Sequence, residues 1–131
     1  MGQFMEEGLQ DVLEVYFATP GDYYIGLATD ASIAKDAAYT DLTEVSGSGY
    51  ALIQLDTMTV TVLLSDDRKA TGNQVTFSAT GDWTTAIYWF MITPAVDSGT
   101  YTLVCANQLD TPTTLTSGET INVTPIVNAN G

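Results

Sequence analysis

From Gly21 onward the sequence is a succession of short apolar runs separated by turn residues, and this pattern constrains the fold more than any single motif. The runs are rich in Tyr, Ile, Val, Thr and Trp, which favour β-strands, and Gly, Asp, Ser and Pro stand between them. The pattern therefore predicts antiparallel β structure. The predicted strands cover residues 23–28, 50–55, 58–64, 74–78, 86–93, 100–106 and 120–127.

Residues 86–92 form an apolar run without a polar face. Strand alternation places Tyr88 and Phe90 on one face, and Ile87, Trp89 and Met91 on the other. Such a strand is either central and covered on both sides, or it carries a subunit interface on its outer face. About seven short strands in about 110 residues predict an all-β fold, an antiparallel β-sandwich of jelly-roll-like type. The Cys-Trp-Cys spacing of a true immunoglobulin domain is missing, because the chain has one cysteine.

The N-terminal segment has a different periodicity. Apolar side chains in residues 4–17 recur at helical spacing, and Pro20-Gly21 prevents continuation of a helix. We predict a short amphipathic helix there, within a helix and connector of residues 1–20 that precedes a sandwich of residues 21–131 in a single domain, 1–131. Its apolar face is expected to cover one end of a sheet or to dock on a partner. The candidate interface residues of the helix are Phe4, Leu9, Val12, Leu13 and Tyr16.

Charge and composition exclude several classes of function. The chain has 131 residues, 16 acidic side chains against 3 basic ones, and a formal net charge of −13. Nucleic acids and anionic membranes are bound by clustered Lys and Arg, so neither is an expected partner. Histidine is absent, which removes the usual general base and most zinc sites. We therefore expect a protein that is not an enzyme, with no cofactor and no catalytic or metal-binding residues.

The linker of residues 30–49 is too long for a hairpin turn and is rich in carboxylates. It holds Asp30, Asp36, Asp41 and Glu44. Calcium requires about six to eight oxygen ligands, but the fixed spacing of an EF-hand is missing here. We interpret the linker as a solvated acidic loop, and calcium binding by residues 30–44 is left open.

The cysteine and the aromatic residues have both structural and binding interpretations. Cys105 lies in an apolar run and is interpreted as a buried small hydrophobic residue rather than a reactive thiol. The aromatic side chains are either a carbohydrate-stacking platform or core and interface residues of the sandwich, and we favour the second interpretation. The candidate structural aromatics are Tyr50, Trp83 and Tyr88.

Charge is distributed unevenly along the chain. Nine acidic residues lie in residues 1–44, whereas residues 98–131 contain only Asp110 and Glu119 and no basic residue. A sheet edge or face with so few charges is expected to be covered, so we predict that this segment packs against another copy or a larger assembly. The candidate interface residues of the β region are Trp89, Ile121, Val123 and Ile126.

An ordered series of motifs spans nearly the whole chain. It begins with residues 9–17 and continues through Tyr-Ile-Gly-Leu-Ala-Thr (24–29), Leu-Thr-Glu-Val-Ser-Gly-Ser-Gly-Tyr-Ala (42–51), Asn-Gln-Val-Thr-Phe (73–77), Ala-Thr-Gly-Asp-Trp (79–83) and Leu-Thr-Ser-Gly-Glu-Thr-Ile (115–121). This order resembles a family of small bacteriophage virion proteins, described as tail-fibre-like or minor structural proteins, with a short N-terminal helix before a β-sandwich. The family pattern commonly has Gly after the tryptophan and Arg after Tyr-Ala, where this chain has Thr84 and Leu52.

The resemblance implies a non-enzymatic structural protein of the virion, assembled in the host cytoplasm. Among the positions in a particle we favour a capsid decoration or cement protein, because an acidic domain would be repelled by packaged DNA but tolerated on the outside. The alternatives are a head, neck or tail fibre module, or a carbohydrate-binding module for attachment to the host surface. The expected partners are other copies of the chain, with a trimer favoured, and the major capsid protein or other virion proteins.

Overall fold

A computed structural model gives the structure of residues 16–62, 67–94 and 100–130, and these residues form antiparallel β-sheets with two short 3-10 helices. The 3-10 helices are Pro20–Asp22 and Tyr39–Asp41. The strands are β1 (Tyr24–Ala28), β2 (Ile53–Gln54), β3 (Met58–Val62), β4 (Asp67–Gly72), β5 (Val75–Ser78), β6 (Ala86–Pro94), β7 (Tyr101–Thr113), β8 (Thr120–Val123) and β9 (Ile126–Asn130).

The largest sheet has four strands in the order β2-β1-β6-β7. β1 pairs with β6 along its whole length, from Tyr24 opposite Ile92 to Ala28 opposite Tyr88. β7 lies at one edge of this sheet, and the two-residue β2 lies at the other. The sheet therefore ends in one long edge strand and one very short one.

Two irregularities interrupt the pairing of β6 with β7. At one of them Met91 lies opposite Cys105 while Ile92 lies opposite Leu103, so Val104 is an extra residue on β7. An extra residue resets the alternation of side chains, which is the property of a β-bulge. As a result Val104 and Cys105 both pack against the main core.

The other strands form a three-stranded sheet, β3-β4-β9, and a two-stranded sheet, β5-β8. The main core combines side chains of all three sheets, among them Leu27 of β1, Ala70 of β4 and Phe77 of β5. The buried apolar side chains of this cluster hold the sheets together, since burial of apolar surface is the dominant favourable term in folding.

The outer face of β6 has a second, smaller core. Ala28, Phe90 and Ile92 are fully buried there. Ile33, Tyr39 and Leu42 pack against them from the linker between β1 and β2. The apolar run of residues 86–92 is thus covered on both sides within one chain, with Trp89 and Met91 in the main core and Tyr88 and Phe90 on the opposite face.

Several predicted strands have different limits in the structure. The predicted strand 120–127 is divided into β8 and β9 around Pro125, which has no N–H to donate to a ladder. β4 was not predicted, because Asp67, Arg68 and Lys69 give it a polar sequence. β7 extends to Thr113, well past the predicted end at residue 106.

The predicted helix of residues 4–17 lies outside the described residues except for Tyr16 and Phe17. Phe17 is buried in the main core, and Tyr16 packs edge-on against its ring. In the described part of the chain, no helix is long and apolar enough to cross a membrane.

Candidate interaction surface

The most distinctive surface element is the edge strand β7. It has 13 residues and pairs only with β6 among the described strands, so its other side carries backbone N–H and C=O groups without a ladder partner. Natural proteins guard such edges with charge, proline or very short length. β7 has Asp110 and Pro112 in its last third, but residues 101–109 contain neither a charge nor a proline.

An aromatic cluster stands at the beginning of this edge. The Tyr101 side chain is 41% exposed. Its ring packs edge-on against Tyr39 at 5.7 Å and against Tyr24 at 6.2 Å between ring centroids. Because Tyr39 also contacts Phe90 at 5.8 Å, the cluster connects the second core to the exposed edge.

The linker that covers this face is fixed by a carboxylate. Glu44 accepts hydrogen bonds from the hydroxyls of Tyr39 and Tyr50, the second at 2.7 Å. The Tyr50 hydroxyl also accepts a hydrogen bond from the backbone N–H of Leu27 at 3.0 Å. Burial and then the Glu44 hydrogen bond raise the pKa of Tyr39 to about 12, so the phenol remains a donor at neutral pH. Glu44 thus joins the linker to the edge of β1.

Two other carboxylates of the linker also bind backbone groups. Asp30 accepts a hydrogen bond from the N–H of Thr43, and Asp41 accepts one from the N–H of Ala38, both at 2.9 Å. Over residues 16–62, 67–94 and 100–130, no group of three or more acidic, cysteine or histidine side chains is placed to hold a metal ion. In this conformation Asp30 and Asp41 stabilise the turns of the linker.

A hollow of about 270 Å³ separates the linker from β7. Ile33, Lys35 and Ala37 line one side, and residues 103–106 line the other. Lys35 is exposed there. The hollow therefore opens beside the middle of the edge strand.

The structure describes five of the nine candidate interface residues. Phe4, Leu9, Val12 and Leu13 are outside the described residues, and Tyr16 is 45% exposed. In the β region, Trp89 and Val123 are buried in the main core, whereas Ile121 and Ile126 are partly buried. Trp89 and Val123 therefore offer little surface to a partner, and the edge of β7 was not among the candidates.

The candidate structural aromatics lie on two sides of the four-stranded sheet. Tyr50 stacks on Phe77 at 6.0 Å and meets Trp83 edge-on at 5.5 Å. Trp83 is only 4% exposed and donates its indole N–H to the carbonyl of Ser48 at 2.7 Å. Tyr88 is half-buried in the second core. Since Trp89 is also buried, Trp83, Tyr88 and Trp89 do not form an exposed stacking platform.

Cys105 is half-buried and packs against the main core. Burial raises the pKa of its thiol to about 12, which keeps it protonated and weakly nucleophilic at neutral pH. The side chain therefore acts as a small hydrophobic residue.

The family of the chain is shown by a match along nearly its whole length. A family model described as Podophage GP4 fiber I protein gp80 matches residues 3–126. The chain belongs to this family. No curated protein and no solved structure matches it. Membership confirms the resemblance to small phage virion structural proteins and makes the chain a structural component of a phage virion.

The matched region of the gp80 family includes the whole of β7 and the linker that covers β6. The charge-poor C-terminal third was predicted from the sequence, but the edge strand was not. The predicted strand ended at residue 106, and local patterns gave this strand no position in a sheet. A signal for the longer strand is present in residues 107–109, where Asn-Gln-Leu continues the run without Gly or Pro.

Proposed function

We propose that this chain is a subunit of a fibre on the outside of a podophage virion. The observation that carries the proposal is the family match to a fibre protein over residues 3–126. The proposed fold for this role is the jelly-roll-like sandwich predicted from the sequence, in which the main sheet would face the two smaller sheets across the main core. The proposed partners are further copies of the chain and a neighbouring virion protein.

Net charge supports an external position but does not select a fibre over a capsid decoration. Packaged DNA repels a protein with a formal charge of −13, which disfavours a position inside the shell. This repulsion does not distinguish between positions on the outside of the shell. The fibre description of the family is the observation that distinguishes the two positions, and for this reason we rank the fibre above decoration of the capsid.

Attachment through carbohydrate is supported less well by the described residues. Sugar rings stack on exposed aromatic faces, and both tryptophans are buried. The exposed Tyr101 packs edge-on against its two tyrosine neighbours and does not form a flat surface with them. A structural role in the fibre therefore has stronger support than host-surface recognition by this domain.

Gold labelling of intact particles tests the proposed position. The phage would carry a short epitope tag on this chain, and the label would be located by electron microscopy against tag-free particles as a control. Label on a projecting fibre is the expected result. Label spread evenly over the capsid shell would overturn the fibre proposal in favour of decoration.

A further inference from the structure

We propose that the N-terminal segment of this chain, residues 4–15, packs as an amphipathic helix against the inner face of β7, the face on the side of the main core. The occupant of this surface is then a segment of the same chain and not a partner. Helical periodicity places Leu9, Val12 and Leu13 on one apolar stripe with Tyr16. Tyr16 is the last residue of this stripe and has helical conformation in the described structure.

The segment joins the described fold beside β7. Phe17 is only 4% exposed in the main core, so the chain is anchored immediately after the segment. The neighbouring Tyr16 ring contacts Phe17 at 5.0 Å and Tyr23 at 5.8 Å between ring centroids. Burial and the nearby Cys105 thiol raise the pKa of Tyr16, so its hydroxyl lies close to the middle of β7. A helix that ends at Tyr16 therefore ends next to this strand.

Part of the inner face of β7 is uncovered by the described residues. Strand alternation places Cys105, Asn107 and Leu109 on this face, with Asn107 opposite the core residue Trp89. Cys105 and Leu109 are only partly buried, and Asn107 between them is exposed. A hollow of about 140 Å³ adjoins Leu109, and Trp89 and Val123 are among its lining residues. Apolar surface of the main core thus reaches solvent here, and covering it is favourable.

The length of the segment matches this surface. A helix rises about 1.5 Å per residue, so residues 4–15 would span about 18 Å. A strand rises about 3.3 Å per residue, so Cys105 and Leu109 lie about 13 Å apart along β7. A helix that ends at Tyr16, beside Cys105, can therefore reach Leu109 and the hollow with its apolar stripe.

Charge is compatible with this packing. Glu7, Asp11 and Glu14 lie on the side of the helix opposite the apolar stripe, so they would remain in solvent. Residues 101–109 contain no acid, and like-charge repulsion is small at such a stretch. The first acid along the strand, Asp110, lies at the hollow. An acidic segment can therefore approach β7 between Cys105 and Leu109.

The reactivity of Cys105 tests the inference, because the chain has one cysteine. A helix on the inner face of β7 would shield this thiol from Ellman's reagent. Leu13→Asp places a charge in the proposed contact, and Gln10→Asp places one outside the apolar stripe. We expect Leu13→Asp to raise the labelling rate about tenfold or more, since a carboxylate is costly to bury against apolar surface. Gln10→Asp is expected to react at the native rate. Near-ultraviolet circular dichroism would verify that both variants fold.

Hydrogen exchange of the native chain provides a second measurement that requires no substitution. Isolated helices of this length are marginal in water, so protection of amides in residues 8–15 reports packing. We expect these amides to be protected equally at every protein concentration, because the contact lies within one chain.

Three results would overturn the inference. They are equal labelling of Cys105 in the two variants, unprotected amides in residues 8–15, and protection that disappears on dilution. The last result would assign the segment to a partner. These measurements use purified protein, so their outcome is independent of where gold labelling finds the chain in the particle.

Discussion

At the residue scale, Gly26 is required by the close packing of β1 against β6. A Cβ atom at this position would lie 2.3 Å from Cζ of Phe90 and 2.8 Å from Cδ2 of Leu52. The Phe90 ring is fully buried, so it has little room to move away. The absence of a side chain at Gly26 thus lets the second core form.

Gly26→Ala is expected to lower the free energy of unfolding by about 1–3 kcal/mol, the usual effect of overpacking a core. Urea denaturation followed by circular dichroism measures the change. Gly21→Ala is the matched control, because its Cβ would meet only the amide end of Gln54, at 3.3 Å. Equal stability of the two variants would contradict this account of Gly26.

The Glu44 carboxylate is the second residue-scale feature, since it accepts from two tyrosine hydroxyls. Glu44→Gln leaves one acceptor oxygen for two donors, so we expect a loss of about 1–2 kcal/mol in the free energy of unfolding. The same change should lower the pKa of Tyr39, which an ultraviolet titration can follow. Asp36→Asn removes a charge from an exposed position of the same linker and should leave both quantities nearly unchanged. A Tyr39 pKa that does not respond to Glu44→Gln would refute the assigned hydrogen bond.

At the scale of secondary-structure elements, Asn73 joins the two segments that adjoin the paired residues Met58 of β3 and Gly72 of β4. Its side-chain oxygen accepts from the backbone N–H groups of Asp56 at 2.9 Å and Thr57 at 3.0 Å. These two residues lie between β2 and β3, whereas Asn73 lies between β4 and β5. The side chain thus adds two hydrogen bonds beside the backbone bond that the N–H of Asn73 donates to the carbonyl of Thr57 at 3.2 Å.

Asn73→Ala is expected to destabilise the fold by about 1–2 kcal/mol, because it removes the acceptor of two backbone donors. Asn73→Asp keeps an acceptor oxygen and should retain most of the stability. Thermal unfolding of both variants gives the comparison. Should the two melt at the same temperature, the acceptor role of Asn73 would be wrong.

At the scale of the whole molecule, burial of phenol and thiol groups makes the stability of the fold depend on pH in the alkaline range. Burial raises the pKa of Tyr23 and of Cys105 to about 12, from ordinary values of 10.0 and 9.0. Below pH 9 both groups are protonated in the folded and unfolded chains, so they contribute no pH dependence. Between pH 9 and 12 the unfolded chain loses protons that the folded chain retains, so stability falls as pH rises.

We therefore expect the melting temperature to be constant from pH 7 to about 9 and to fall progressively up to about 12. Cys105→Ala should flatten the first part of this decline, between pH 9 and 10, where the unfolded thiol titrates before the tyrosines. Differential scanning calorimetry over this range makes the comparison. An unchanged slope in Cys105→Ala would exclude a contribution of the thiol.

Much of the secondary structure follows from local patterns in the sequence. The alternation in residues 86–92 correctly separated Trp89 and Met91 from Tyr88 and Phe90, because side chains of a strand point to opposite faces. The strand β4 could not be recognised in this way, since its sequence is polar and it owes its conformation to pairing with β3 and β9. The bulge at Val104 is likewise defined only by the register of two strands.

Composition and local periodicity were sufficient to predict the β-rich character of the chain, its acidic charge and the charge-poor C-terminal third. The motif order also carried the resemblance to phage virion proteins. Two properties are visible only in the folded chain: a linker covers the outer face of β6, and β7 lies at an edge. Both properties depend on contacts between residues far apart in the chain, and local patterns do not specify which strands become neighbours.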